Sequence, residues 1–345
     1  GNTAVGAFAL MGETNNNNSN NTAVGYEALK STTTSSGNVA IGYQAGDSIT
    51  TGASNVIIGK GAMVNASTQS NCVIIGADAG FLINNDNANG TIAIGYQAGY
   101  LINQGTDNTV IGKSAMYGIT TGDRNVAIGA LAMGDTNAGV SSANSSGNVA
   151  IGNSAMGGTF ADTASDDNVA IGKNSLAGAL DGALYNVGIG TQVLENLTTG
   201  DSNVALGYQA GQDITTGELN VFIGTNAGAN STVSQRAVGI GYEALNRYGK
   251  TSVGSGAPVA IGFEAGRFAT GSQNVFVGYE TGKGGTQSGT LTSGDNNTAV
   301  GYTALTAFTS GNSNVAVGHT ALPALTTGIG NVALGSRALL THTTG

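Results

Sequence analysis

The sequence predicts an all-β chain, a parallel β-solenoid of about nineteen coils assembled as a homotrimeric rod. Three observations lead there. One short motif recurs along all 345 residues. Within it, apolar residues alternate with the period of two that marks a strand. The remaining face of each strand is built of small apolar residues. The whole of 1–345 reads as a single repeat array.

The motif is Asn-Val-Ala-Ile-Gly-x-x-Ala-(Gly/Leu/Met), as in Asn38-Val39-Ala40-Ile41-Gly42-Tyr43-Gln44-Ala45-Gly46. Its glycines stand at 6, 25, 42, 59, 76, 95, 112, 129, 152, 172, 190, 207, 224, 241, 262, 278, 301, 318 and 335, most often 17 residues apart. Positions are counted from this glycine. Position −3 is Val, Ile or Thr in all nineteen copies, and −1 is Ile or Val in seventeen, with Leu206 and Leu334 completing the set. Position +3 is Ala in sixteen copies, and +4 is always Gly, Leu or Met. Position −4 is Asn in fifteen copies, replaced by Cys72, Thr91, Ala237 and Pro258.

β-Branched residues at alternate positions, closed by Gly, make a short strand ending in a turn. Val39 and Ile41 share one face; Ala40 and Gly42 share the other. The structural ladder is expected from Asn38, Val39, Ile41 and Gly42, from Asn125, Val126, Ile128 and Gly129, from Asn203, Val204, Leu206 and Gly207, and from their equivalents. Stacked coils set Val on Val and Asn on Asn, and Asn can both donate and accept. The segment after Gly is a second strand or a corner. The Thr-, Ser-, Gly- and Asn-rich remainder is a connecting arc. In five arcs an Ile or Leu at +7 precedes Thr-Thr-Gly (Ile49, Ile119, Leu197, Ile214 and Leu325), a second anchor into the core.

Two β-branched side chains per coil make a thin core. With Val and Ile turned inward, the opposite face is Ala or Gly in fourteen copies. Such a face suits close approach of another chain, hence the expected three-fold rod. The alternative is a one-chain solenoid with the Ala face packed inside.

Composition removes other classes. Charged residues are 9%, aromatic residues 6%, Trp is absent, and there are 58 Gly and 2 Pro. Glycine lacks the every-third-residue period of collagen. Gly, Asn, Thr and Ser are poor material for long helices. The net charge of −9 and scattered Lys and Arg give no nucleic-acid footprint. No apolar run is long enough to span a membrane. The chain opens inside a repeat, at Gly1-Asn2-Thr3-Ala4-Val5-Gly6, so it is expected to be a segment of something longer. Its one cysteine, Cys72, forms no intrachain disulfide and reads as a small buried filler.

Position +1 should face outward, and it is Tyr at Tyr26, Tyr43, Tyr96, Tyr208, Tyr242, Tyr279 and Tyr302. This stripe is either a surface that grips glycan or protein, or a ladder of rings covering the flank. The two 23-residue coils are expected to bulge near Asp135–Ser146 and Lys283–Asp295. Repeat insertions of this kind carry binding or are surface variation. The nearest approach to paired carboxylates is Asp162, Asp166 and Asp167 in one arc, read as solvated loop charge. Asn84-Asn85-Asp86-Asn87 lacks the pattern of calcium-binding β-rolls. His319 and His342 have no metal-ligand or catalytic spacing. No catalytic, cofactor-binding or metal-binding residues are assigned, and no enzyme activity is expected.

The motif at Asn38–Ala45 resembles the head repeat of YadA-like trimeric autotransporter adhesins, whose pattern is close to Asn-Ser-Val-Ala-Ile-Gly-x-x-Ser. It is also similar to the Gly-Asn-Thr-Ala-Val-Gly-Tyr-x-Ala-Leu arrays of phage tail fibres that end in a self-cleaving intramolecular chaperone. That form stands here at Asn21-Thr22-Ala23-Val24-Gly25-Tyr26-Glu27-Ala28-Leu29 and at Asn297-Thr298-Ala299-Val300-Gly301-Tyr302-Thr303-Ala304-Leu305. The resemblance covers essentially the whole chain. It implies a left-handed parallel β-roll, a trimer, an extracellular place on a virion or bacterial surface, and a host glycan or protein as receptor. The 17-residue unit is longer than adhesin heads use, and frequent Tyr after Gly favours the phage-fibre branch. Neck, stalk, anchor and chaperone are expected elsewhere in a longer polypeptide. Two other readings are a glycan-cleaving tailspike-like β-helix and an ice-binding solenoid. The second needs a regular Thr array, and the Ile- or Leu-Thr-Thr-Gly arc occurs in only five of the nineteen coils.

Overall fold

The computed structural model describes residues 1–12, 17–83, 88–134, 144–160, 163–248, 256–285 and 291–345. Each motif core forms a three-residue strand, from Thr3–Val5 to Val332–Leu334, nineteen among the described residues. The chain divides into two units, Gly1–Gly182 and Ala183–Gly345. In the first, ten strands pair in chain order, all parallel. In the second, nine do the same. Register is set by the motif: Val39 pairs with Val56, Ala40 with Ile57, and Ile41 with Ile58. Each unit is therefore a parallel β-solenoid, one coil per repeat. No α-helix occurs among the described residues, and none of their segments is a helix long and apolar enough to cross a membrane.

The segment after the motif glycine is a corner, not a second strand. Gly42 has φ +139°, and its eighteen counterparts lie between +118° and +139°. A Cβ on Gly42 would sit 2.5 Å from the Gly59 carbonyl oxygen of the next coil. Both the backbone angle and the stacking distance exclude other residues there. Positions +2 and +4 are also left-handed in every copy, with φ between +46° and +62°. This explains the restriction at +4. The side chain points into the core, as at Leu29, Met63 and Met116, all fully buried. An apolar residue is therefore wanted, but a β-branched one does not tolerate positive φ. Gly, Leu and Met remain. Leu29→Met is accordingly expected to be tolerated. Leu29→Ile, of equal volume, should cost about 1–3 kcal/mol in the denaturation midpoint.

The interior face is the reverse of the expected one. Ala40, Ala127 and Ala205 are at most 1% exposed, while Ile41 is 39% and Leu206 44% exposed. The motif Ala points in, and Val and Ile point out. The coil is narrow: position −2 faces the +3 and +4 residues across the corner, and there is room only for a small group. Larger residues enter at −2 where +4 of the same or the preceding coil is glycine. A Cβ on Gly228 would lie 2.6 Å from the Phe222 ring, one on Gly266 2.9 Å from Phe276, and one on Gly46 2.9 Å from Ile57. Volume is thus balanced between neighbouring layers, as close packing demands.

The second anchor stands as expected: Ile49, Ile119, Leu197, Ile214 and Leu325 are fully buried. Ile83, Ile102, Tyr248 and Phe308 fill the same +7 position in other coils. The Tyr248 hydroxyl donates to the Gly256 carbonyl at 2.6 Å. Burial pushes that phenol up to about 12.

Candidate functional site

The Asn column forms a buried ladder, interrupted twice. Asn38 donates from Nδ2 to Asn21 Oδ1 (3.1 Å) and to the Gly52 carbonyl (2.8 Å). Its Oδ1 accepts from the Asn55 backbone N–H (2.9 Å) and from Asn55 Nδ2 (3.0 Å). Asn125 accepts in the same way from Asn148, and Asn203 from Asn220. Each amide thus ties the strand start of one coil to the arc and strand of its neighbours. A buried polar group so partnered contributes rather than costs.

Where the ladder is broken, it is broken in two adjacent coils at once. Ala237 donates its N–H to Asn220 Oδ1 (3.0 Å) but offers no Oδ1 to the following coil. The residue that would use it is Pro258, which has no N–H. The missing acceptor meets a missing donor. Pro258→Ala restores the donor alone, and is expected to cost about 1–3 kcal/mol in thermal or denaturant unfolding. At the other break, Cys72 donates its N–H to Asn55 Oδ1 (2.9 Å). Burial pushes its thiol up to about 11, against backbone hydrogen bonds from Thr91 and Gly90. Cys72 is fully buried, the filler the sequence suggested, and its thiol is not poised for reaction.

Two outward bands run along each unit. The first is the strand face itself, Val, Ile or Thr at −3 and Ile, Val or Leu at −1, half-buried to exposed in every coil. The second is position +1. All seven predicted tyrosines point out, between 41% and 51% exposed. Tyr26 and Tyr43 stack at 5.4 Å, with Phe8 edge-on to Tyr26. In the second unit Tyr242, Phe263, Tyr279, Tyr302 and His319 form one column, successive centroids 4.9–5.2 Å apart. Phe263 and His319 stand at +1 and extend the stripe beyond tyrosine. Tyr96 and Tyr208 have non-aromatic +1 neighbours and stand as single rings. A further column, Phe81, Tyr100 and Tyr117 at +5, was not anticipated; its centroids are 4.9 and 5.0 Å apart.

Charge gathers beside the longest ring column. Arg267 bonds Glu243 (2.6 Å) and Glu264 (2.9 Å), and Lys283 bonds Glu264 and Glu280. The Arg267–Glu243 and Lys283–Glu264 pairs are cross-coil struts, the other two lie within a coil, and all are of modest individual worth at the surface. Asp166 Oδ1 accepts the Ser146 backbone N–H at 2.7 Å, as Asp123 does for Thr106 and Asp201 for Leu184. It belongs to a second capping ladder along the arcs. Asp167 is exposed; Asp162 lies outside the described residues, as do 84–87, 135–143 and 286–290 of the predicted arcs and bulges. His319 stacks on Tyr302, with Nδ1 2.9 Å from Thr320 Oγ1. Among the described residues no three His, Cys, Asp or Glu side chains gather as a metal site.

No family model matches the chain, and no curated protein matches it.

Proposed function

We propose that this chain is a structural and adhesive fibre segment, working as a homotrimer outside the cell on a phage tail fibre or a bacterial surface. The observation that carries it is the outward Val/Ile band. A sheet that turns its larger apolar side chains outward and its alanines inward has a surface suited to burial against other chains. This replaces the Ala face as the place of contact. The motif's resemblance to adhesin-head and tail-fibre arrays supports the same reading. The aromatic columns are the candidate receptor surface, for a host glycan or protein, through the outer ring edges that a neighbouring copy leaves uncovered. They present ring edges and hydroxyls, since the ring faces are covered by their neighbours. Neither nucleic acid nor a membrane is a proposed partner, and no enzymatic role is proposed.

Sedimentation should give three times the 33.8 kDa chain mass. A monomer at working concentration would overturn the proposal. Release of oligosaccharide from host polysaccharide would instead favour the glycan-cleaving reading, for which Asp166 is poorly placed because it caps a backbone N–H. The ice-binding reading needs hydroxyls turned to water. Those of Thr50, Thr198, Thr215 and Thr326 instead donate to carbonyls of the next coil. Thermal hysteresis would revive it.

A further inference from the structure

Positions −5 and +1 stand at opposite ends of the outward strand of each coil. Between them lies the strand, about 10 Å long. The two positions are nevertheless matched coil by coil. The −5 position carries an acid twice, Asp107 and Asp167, and those coils have Lys113 and Lys173 at +1. Only one other coil, at Lys60, has Lys at +1. All four side chains are exposed. Among the described residues the five ion pairs involve none of them. No coil has a cation at both ends: Arg124 is matched with Ala130, and Arg236 with Tyr242, a ring that attracts a guanidinium. Size is matched as well. The exposed, bulky Tyr185 and Leu219 at −5 share their coils with Thr191 and Thr225, whereas Tyr43, Tyr96 and Tyr208 share theirs with Gly37, Gly90 and Ser202. Four coils depart from this pattern of size: Asn20 with Tyr26, Arg236 with Tyr242, Gln273 with Tyr279 and Asn296 with Tyr302.

Residues that do not touch within one chain gain nothing from such matching. They do touch if copies stand side by side, parallel and level. Rotation about an axis along the coil stack brings the −5 end of one strand to the +1 end of its neighbour's equivalent strand. An antiparallel pair, or one displaced by a coil, would match each coil with a different one. We infer that neighbouring copies of this chain associate in parallel and in strict coil register, with the −5 column of one copy seated on the +1 column of the next. This rests on the self-assembly proposed above and adds to it the orientation, the register and the contacting columns.

Paired cysteines test it. Tyr185→Cys/Thr191→Cys and Leu219→Cys/Thr225→Cys are expected to oxidise to covalent oligomers seen on non-reducing gels. Tyr185→Cys/Thr225→Cys, whose partners are two coils or about 10 Å out of level, exceeds disulfide reach and should stay uncrosslinked. Charge exchange provides a second measurement, by sedimentation. Asp107→Lys should weaken assembly at least about tenfold. Adding Lys113→Asp should restore it, and adding Lys173→Asp should not. An assembled protein in which the matched cysteines fail to crosslink, or the mismatched ones crosslink equally well, overturns the register. So does an exchange whose rescue ignores which lysine is changed. A wild-type protein that sediments as a monomer overturns instead the self-assembly on which the register rests.

Discussion

Gly42→Ala is expected to lose more than about 4 kcal/mol of stability, well beyond an ordinary surface substitution. Two costs combine. At φ +139° an L-residue is strained by about 1–3 kcal/mol before any contact is considered. Its Cβ would then lie 2.5 Å from the Gly59 oxygen and 2.7 Å from the Gly59 carbonyl carbon. Both atoms are backbone, so relief requires the next coil to move, and that coil is stacked on the one after it. A second glycine in the same coil gives the control. Gly37 has φ +69°, and a Cβ there would meet nothing nearer than Ser54 Oγ at 3.7 Å. Gly37→Asn, a residue that accepts the left-handed region, should stay within about 1 kcal/mol of the parent. Urea midpoints of the two variants compare them directly. Equal midpoints would mean that the glycine column does not set the coil spacing.

The strands, the glycine column, the Asn ladder and the +7 anchors were legible in the sequence because each depends on one position repeated every coil. A buried Asn column is self-satisfying only if coils stack, so recurrence of Asn38, Asn125 and Asn203 already implied the ladder. Which strand face lies inside was not legible. Period two separates Val39 and Ile41 from Ala40, but both sets are apolar, and hydrophobicity alone favours burying the larger pair. The decision is made by the width of the coil. That width follows from the left-handed residues at +2 and +4, a backbone property that a side-chain pattern does not reveal directly. A trace of it was present: the phenylalanines at −2, Phe222 and Phe276, share their coils with Gly228 and Gly282 at +4, never with Leu or Met. The coupled ladder breaks were visible too, since Ala237 and Pro258 replace Asn in consecutive copies. Read singly they are two losses; read together they remove a donor and the acceptor it would have needed. The aromatic stripe was found through tyrosine alone, and the wider column emerges once position +1, rather than residue type, defines it.

Two neighbouring residues separate folding from assembly. Ala205→Asp places a carboxylate in the interior, where Ala205 is 1% exposed, with no donor waiting for it. An unpaired buried charge costs about 3–5 kcal/mol or more, so the coil around it should be lost and the melting temperature should fall. Leu206→Asp lies one residue on and points the other way. Leu206 is 44% exposed, so a carboxylate there stays hydrated in the single chain, and its fold should remain within about 1 kcal/mol of the parent. In the proposed trimer the same substitution sets three carboxylates at one level around the axis, where water is excluded. Like charges so placed repel and must be desolvated together. The expected result is a folded monomer with near-normal circular dichroism and one third of the parent's sedimenting mass. A Leu206→Asp protein that kept the full oligomeric mass would show that the strand face is not the contact between chains. In that case the apolar band would need another occupant, and the matching of −5 with +1 would lose its geometric basis.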